Sequence, residues 1–181
     1  MSGPATLYRF RISVSDIERS FYEDLDFRAA MHPSENEAYL LTRVLAYALN
    51  YESGLEFAPG LCTGDEPAIR APDGRGGIGC WIEIGNPAPR KLHKAAKSSS
   101  VVRVYTYKDP ENLKREAARE TIHRASEIEI FALKESFLAE LAALLKRDNS
   151  WTLIHDQGEL VVTVGDESAI GRLEPHRLAQ K

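Results

Sequence analysis

One stretch of this chain, DEPAIRAPDGRGGIGCWIEIGNPAPRKLHKAAK, from Asp65 to Lys97, places carboxylates and lysines in a single continuous unit. An acid pair, a turn, a strand carrying Glu83 and a basic helix follow one another in it. Two carboxylates brought close together repel unless a proton or a cation lies between them. Acids beside lysines therefore have the composition of a metal-dependent phosphodiesterase site, in which a hard divalent cation takes oxygen ligands and cationic side chains take the phosphate. From Ile84 to Lys108 there is no Asp or Glu, but there are six basic residues, Arg90, Lys91, Lys94, Lys97, Arg103 and Lys108. Such a strip could hold a phosphate backbone next to a metal. A solvated helix face is the plainer alternative.

The elements that must position these groups can be read from turn chemistry and strand alternation. A hairpin centred on Gly74 sets Asp65 opposite Glu83, with Cβ atoms roughly 5 Å apart. A one-residue slip would exchange Asp65 for Glu66. Pro72-Asp73-Gly74 is a turn sequence, which leaves Asp73 roughly 30 Å from Glu83 at about 3.3 Å per residue. Along residues 78–84, Cys80, Ile82 and Ile84 share one face as core, and Trp81, Glu83 and Gly85 share the other. Gly74, Gly76 and Gly79 spell G-x-G-x-x-G, but they lead into a strand. A dinucleotide site needs them to open a helix, so none is expected. The chain has no G-x-S-x-G, no H-E-x-x-H and no P-loop, and its five histidines are scattered.

Before this stretch, Tyr8, Phe10, Ile12 and Val14 alternate at strand period, and Phe21 to Ala30 reads as an antiparallel partner after a connection at 17–20. Ser34 with Glu37 forms a capping box for a helix running to about Asn50, with Ala38, Leu41, Leu45, Ala48 and Leu49 as its buried stripe. Glu35, Tyr39, Arg43 and Tyr47 lie along an adjacent face. Short strands are expected at 55–58 and 68–71, and a helix over Arg90 to Lys97. A strand follows at Val101 to Tyr107, and a polar helix from Pro110 to Ala125. Glu127 to Ala132 reads as a strand and Ser136 to Lys146 as a helix. Asp156-Gln157-Gly158 turns a hairpin between Trp151 to His155 and Glu159 to Val164. A strand near Ala169 to Leu173 leads into a polar tail.

The 181 residues suit one domain, with an N-terminal β ribbon at 5–31, a core at about 34–108 and a C-terminal β/α extension at 110–175. With 43% hydrophobic and 28% charged residues the chain reads as globular. No window approaches the ~18 apolar residues of a membrane span. Two cysteines, Cys62 and Cys80, are too few for a disulfide framework and lack zinc-site spacing. A soluble, cytoplasmic protein, monomeric rather than oligomeric, is the expectation. A net charge of -4 argues against nucleic-acid binding by overall electrostatics and leaves that role to the basic strip.

Taken together, HPSE at 32–35, RVLAY at 43–47, GLCTGDEP at 60–67, WIEIGNP at 81–87 and RKLHKA at 90–95 make the chain resemble the YaeQ family over essentially its whole length. That family is described as a variant of the PD-(D/E)XK nuclease-like fold. The resemblance implies a single-domain α/β restriction-endonuclease-like core, a mixed central sheet with flanking helices and additional β-hairpins. It implies Asp65 as first acid, Glu83 as second, and Glu35 as an auxiliary acid. The lysine of the pattern stands two positions after the second acid, where this chain has Gly85. Lys94 on the following helix is then the replacement, with Arg90 as second choice. The implied activity is Mg²⁺ (or Mn²⁺)-dependent nuclease action, with Asp65, Glu83 and the Ile84 carbonyl on the metal and Arg90, Lys97 and Arg43 on phosphates. The alternative from a different class is a nuclease-like module without catalysis that binds nucleic acid or protein, linked to transcription.

Overall fold

The computed structural model of the protein describes residues 3–58 and 65–179. It has an α/β fold with two mixed sheets and few helices, organised as two compact units, Met1–Leu49 with Leu133–Glu174 and Asn50–Ala132 with Pro175–Lys181. Cys62, and Pro59 and Gly60 after the short strand, lie outside the described residues. Among those residues no helix is long and apolar enough to cross a membrane.

The first unit is built on a five-stranded sheet. β1 (Thr6–Asp16) and β2 (Phe21–Met31) form the expected antiparallel ribbon. β1 also pairs in parallel with β8 (Asp148–Asp156), which continues antiparallel through β9 (Glu159–Val164) to β10 (Glu167–Arg172). β8 alternates strictly between exposed and buried residues, as a strand with one wet face must. Phe10 lies at the centre of this core, 5.1 Å from the Trp151 ring and 5.7 Å from that of Phe27. Helices α1 (Glu37–Leu49) and α4 (Glu135–Leu144) pack together. From Leu40 to Leu49 every residue of α1 is buried, so the helix has no wet stripe. The cap of α1 differs from the sequence reading. Asn36, not Ser34, accepts from the Tyr39 N–H at 2.8 Å.

The second unit carries the six-stranded sheet, in the order β11-β7-β6-β5-β4-β3. β3 (Glu56–Phe57), β4 (Ile69–Pro72) and β5 (Ile78–Ile84) are antiparallel neighbours. β5, β6 (Ser99–Thr106) and β7 (Glu129–Ala132) run parallel. Helix α2 (Pro89–Ser98) makes the crossover from β5 to β6. Helix α3 (Pro110–Ala117) is shorter than the polar helix expected to Ala125. Its chain instead passes through a 3-10 turn at Ala125–Glu127. The supposed polar tail contains β11 (Glu174–Arg177). Trp81, Val102, Val104 and Ile130 meet Leu92, Ala95 and Leu113 in one core cluster. Because α2 and α3 cover the Trp81 face, β5 is buried on both sides, rather than on the Cys80-Ile82-Ile84 face alone.

Candidate functional site

The hairpin closes, but in a different register from the one expected. Ile69 pairs with Ile82, Arg70 with Trp81 and Ala71 with Cys80. That pattern sets residue 68 opposite Glu83, three residues later than 65. Two features cause the shift. The turn spans 73–77, where the Asp73 N–H donates to the Gly77 carbonyl and the Asp73 carboxylate accepts from the N–H groups of Arg75 (2.7 Å) and Gly77 (2.9 Å). Those two backbone donors hold the Asp73 carboxyl below its ordinary value. A bulge then lets Pro72 pair with Ile78 and leaves Gly79 extra. A Cβ on Gly79 would stand 3.0 Å from the Pro72 carbonyl oxygen, so the bulge requires glycine. The glycines of the apparent dinucleotide fingerprint thus belong to a turn and a bulge that lead into a strand, as the sequence indicated.

Asp65 and Glu83 are therefore not cross-strand partners. Both are instead reached from α2. Lys91 Nζ is 3.0 Å from Glu83 Oε2. One turn on, Lys94 Nζ is 3.1 Å from Asp65 Oδ1. The two pairs differ in environment. Glu83 is 3% exposed and its other oxygen accepts from Trp81 Nε1 at 2.7 Å. Burial raises the Glu83 carboxyl, and Lys91 and the Trp81 N–H pull the other way. Asp65 and Lys94 both lie at the surface. Arg90 and Lys97 are exposed too, and their spacing from Lys94 aligns the three along one side of α2. Arg103, by contrast, leaves the basic strip to bond Asn50 (2.9 Å) and Glu129 (3.2 Å).

Helix α2 is held at both ends. Pro89 occupies its first turn, where a missing N–H is harmless. At its C-terminus Arg124 donates to the carbonyls of Ala96 (2.7 Å) and Ser99 (2.6 Å). Ahead of it, Ile84 ends β5 beside Tyr105, and Gly85 turns with φ +87°. Asn86 then bonds Thr106 Oγ1 (2.7 Å) and the Asp109 carbonyl (3.0 Å). The left-handed backbone at this position favours glycine, because an L side chain is strained there.

Glu35 and Arg43 belong to the first unit. They pair at 3.5 Å, Arg43 buried and Glu35 partly so. Glu35 also accepts from the His32 N–H at 3.2 Å, and Arg43 donates to the Ala30 carbonyl and stacks over Tyr39. Within the first unit the Arg43 guanidinium thus faces Glu35, the Ala30 carbonyl and Tyr39. The sequence reading missed Lys91 and Trp81 as partners of Glu83. A signal existed for Trp81, two residues from Glu83 on the same strand face, since a buried indole N–H needs an acceptor. Among the described residues no three His, Cys, Asp or Glu side chains gather as a metal-binding group.

The family model described as "YaeQ protein" matches residues 1–171. "Uncharacterized protein YaeQ" of Escherichia coli (strain K12) is 35% identical over 107 residues, and its Salmonella typhi counterpart 34%. Each alignment spans 59% of this chain and 59% of the relative's length. The crystal structure of the YaeQ protein from Xanthomonas axonopodis pv. citri superposes with a TM-score of 0.88 at 28% identity, covering 97% of this chain and all of that one. That from Pseudomonas syringae gives 0.84 at 26%, covering 98% of each. With the family model matched over nearly the full length and the same fold in both solved relatives, this chain belongs to the YaeQ family.

Proposed function

We propose that the second unit carries a divalent-cation-dependent phosphodiester hydrolysis site of the PD-(D/E)XK nuclease kind, with nucleic acid as substrate. One observation carries the reading: a single helix presents ammonium groups to both acids, Lys91 to Glu83 and Lys94 to Asp65, one turn apart. The lysine missing at Gly85 is thereby supplied from α2. The donors this reading assigns are of the type that Mg²⁺ or Mn²⁺ takes. Asp65, Glu83 and the Ile84 carbonyl are hard oxygens, and Mg²⁺ keeps several waters when few protein ligands are present. When bound, the ion would lower the pKa of a water and neutralise charge on the phosphate.

The remaining chemistry belongs to the side chains. Trp81 fixes one oxygen of Glu83 and so directs the other toward α2. Lys91 and Lys94 act as point charges for phosphate oxygens. Arg90 and Lys97, exposed on the same helix, hold the flanking backbone.

A second reading has its own support. Glu83 already has a cationic partner inside the protein, which suits a nuclease-like module that binds nucleic acid without cutting it. Isothermal titration with Mn²⁺ separates the two, followed by incubation of the protein with single-stranded, duplex and flap DNA or RNA plus Mn²⁺. A nuclease site gives binding and cleavage that Glu83→Ala abolishes and Asp73→Ala leaves intact. Absence of Mn²⁺ binding at millimolar concentration overturns the hydrolytic reading and leaves the binding module.

A further inference from the structure

We infer that the wet face of the five-stranded sheet is a dimer interface, closed by a second copy of this chain about a two-fold axis that runs along one apolar row of the sheet. The inference stands apart from the phosphodiester site and replaces the monomer expected from the sequence. Its starting point is where the exposed hydrophobic side chains fall. Among the described residues the large ones are Leu7, Ile17, Tyr22, Ile154 and Ile170. All lie on the same face of the same sheet, since odd residues of β1 pair with even residues of β2 and β8, and β9 and β10 continue that register. Hydrophobics scattered singly are ordinary on a surface, whereas a group gathered on one face marks an interaction site.

The register draws most of them into a line. Tyr22 lies opposite Ser15, Ser15 opposite Ile154, Ile154 opposite Val161 and Val161 opposite Ile170, so one row crosses every strand of the sheet. Tyr22 and Ile170 at its ends are 61% and 60% exposed, and Ile154 at its centre 39%. Ile17 extends β1 beside the row, its N–H donating to the His155 carbonyl at 2.9 Å. Helices α1 and α4 are on the opposite face. There Phe27 meets Tyr47 of α1 at 4.6 Å between ring centroids, and a Cβ on Gly171 would collide with Phe137 of α4. Neither helix therefore covers the row.

Charge and size identify the occupant. Elsewhere on this face Arg9 takes both oxygens of Asp26, at 3.0 and 2.7 Å, and Arg11 meets Asp148 at 2.8 Å. Acids and bases thus neutralise one another within the face, which leaves no net sign to select a strongly charged partner, and an identical copy meets no repulsion. Strands about 4.8 Å apart that rise about 3.3 Å per residue give the sheet a face of roughly 700 Å², close to the ~800 Å² each partner buries in a standard interface. Two sheets packed face to face keep their strands aligned within about 30° and lie about 10 Å apart. A two-fold along the row then stacks apolar residues on apolar residues, as an isologous contact requires. It also sets Asp156 and Glu159, which oppose each other on one side of the row, over Thr152 and Thr163 of the partner subunit, whose hydroxyls can donate to carboxylates.

Sedimentation velocity of the full chain across micromolar to hundred-micromolar concentrations tests this. The parent is expected to sediment at twice the 20.2 kDa of the chain. Ile154→Asp, which puts a charge on the axis, is expected to weaken association at least about a hundredfold and to yield monomer. Leu7→Asp is the control, since Leu7 lies on the same face but at the far end of β1 from the row, and it should leave the dimer unchanged. Both positions are exposed, and circular dichroism and melting temperature check that the variants fold. Should Ile154→Asp fail to fold, Ile170→Lys on the edge strand β10 takes its place. A parent that stays monomeric overturns the inference and leaves the face to a different protein. A dimer that survives the charged substitution in the row overturns it too, and so does loss of the dimer in Leu7→Asp, which no contact along this row explains.

Discussion

Glu83 carries its charge in a place that only partly supports it. Burial pushes its carboxyl up from the ordinary value of 4.5, with Lys91 and Trp81 as the opposing influences. The folded chain thus holds this proton more tightly than the unfolded chain. The group's contribution to stability is complete below 4.5 and is lost as pH rises through the folded value. Two variants should reveal this in urea denaturation. Lys91→Met strands a buried carboxylate and is expected to cost about 3 kcal/mol at neutral pH, with a smaller loss in acid where Glu83 is protonated. Glu83→Gln should behave in the opposite sense, its stability relative to the parent improving as pH rises. Identical pH profiles for all three proteins would show that the Glu83 carboxyl has the same pKa in the folded and the unfolded chain. The acid itself was legible in the sequence, as a lone glutamate on an apolar strand ahead of lysines. Its partner was not, because a lysine beside the core residue Leu92 reads as helix surface until the helix is docked.

At the scale of elements, the β5–α2 junction limits what can be changed. Gly85 turns at φ +87°, and a Cβ there would meet nothing within 4 Å. Space is therefore no obstacle to a side chain, and the backbone is. Gly85→Ala should destabilise the protein by about 1–3 kcal/mol in thermal or urea unfolding. Gly85→Lys should cost as much, and should bring no gain in the proposed cleavage or Mn²⁺ affinity. A neutral Gly85→Ala would remove the backbone explanation for glycine at this position. Elements with clean alternation were the readable ones. The ribbon of β1 and β2 and the β8–β9 hairpin follow from period-two patterns and turn residues, and the limits of β5 from its apolar run between turn residues. Register did not, since a turn held by the Asp73 side chain and a bulge at Gly79 each displace pairing without altering alternation. α3 was overestimated for a related reason: polar composition continues past Ala117, whereas the helical hydrogen bonds do not.

For the molecule as a whole, family membership and the α/β class were carried by short motifs in a fixed order. The division into two sheets was not, because parallel pairing of β1 with β8 joins residues far apart in sequence. The chemistry under proposal avoids that separation. β5, α2 and β6 follow one another directly, and they contain Glu83, Lys91, Lys94 and much of one core cluster. Contacts that close short loops form with little entropic delay. This βαβ segment is proposed as the nucleus of its unit. Leu92→Ala and Val104→Ala should slow folding more than they speed unfolding in stopped-flow chevrons, and the reverse would place nucleation elsewhere. If the nucleus is here, Glu83 and Lys91 meet while the chain is still finding its structure, so the protein buries its carboxylate with the counterion already in hand and depends on no metal to fold.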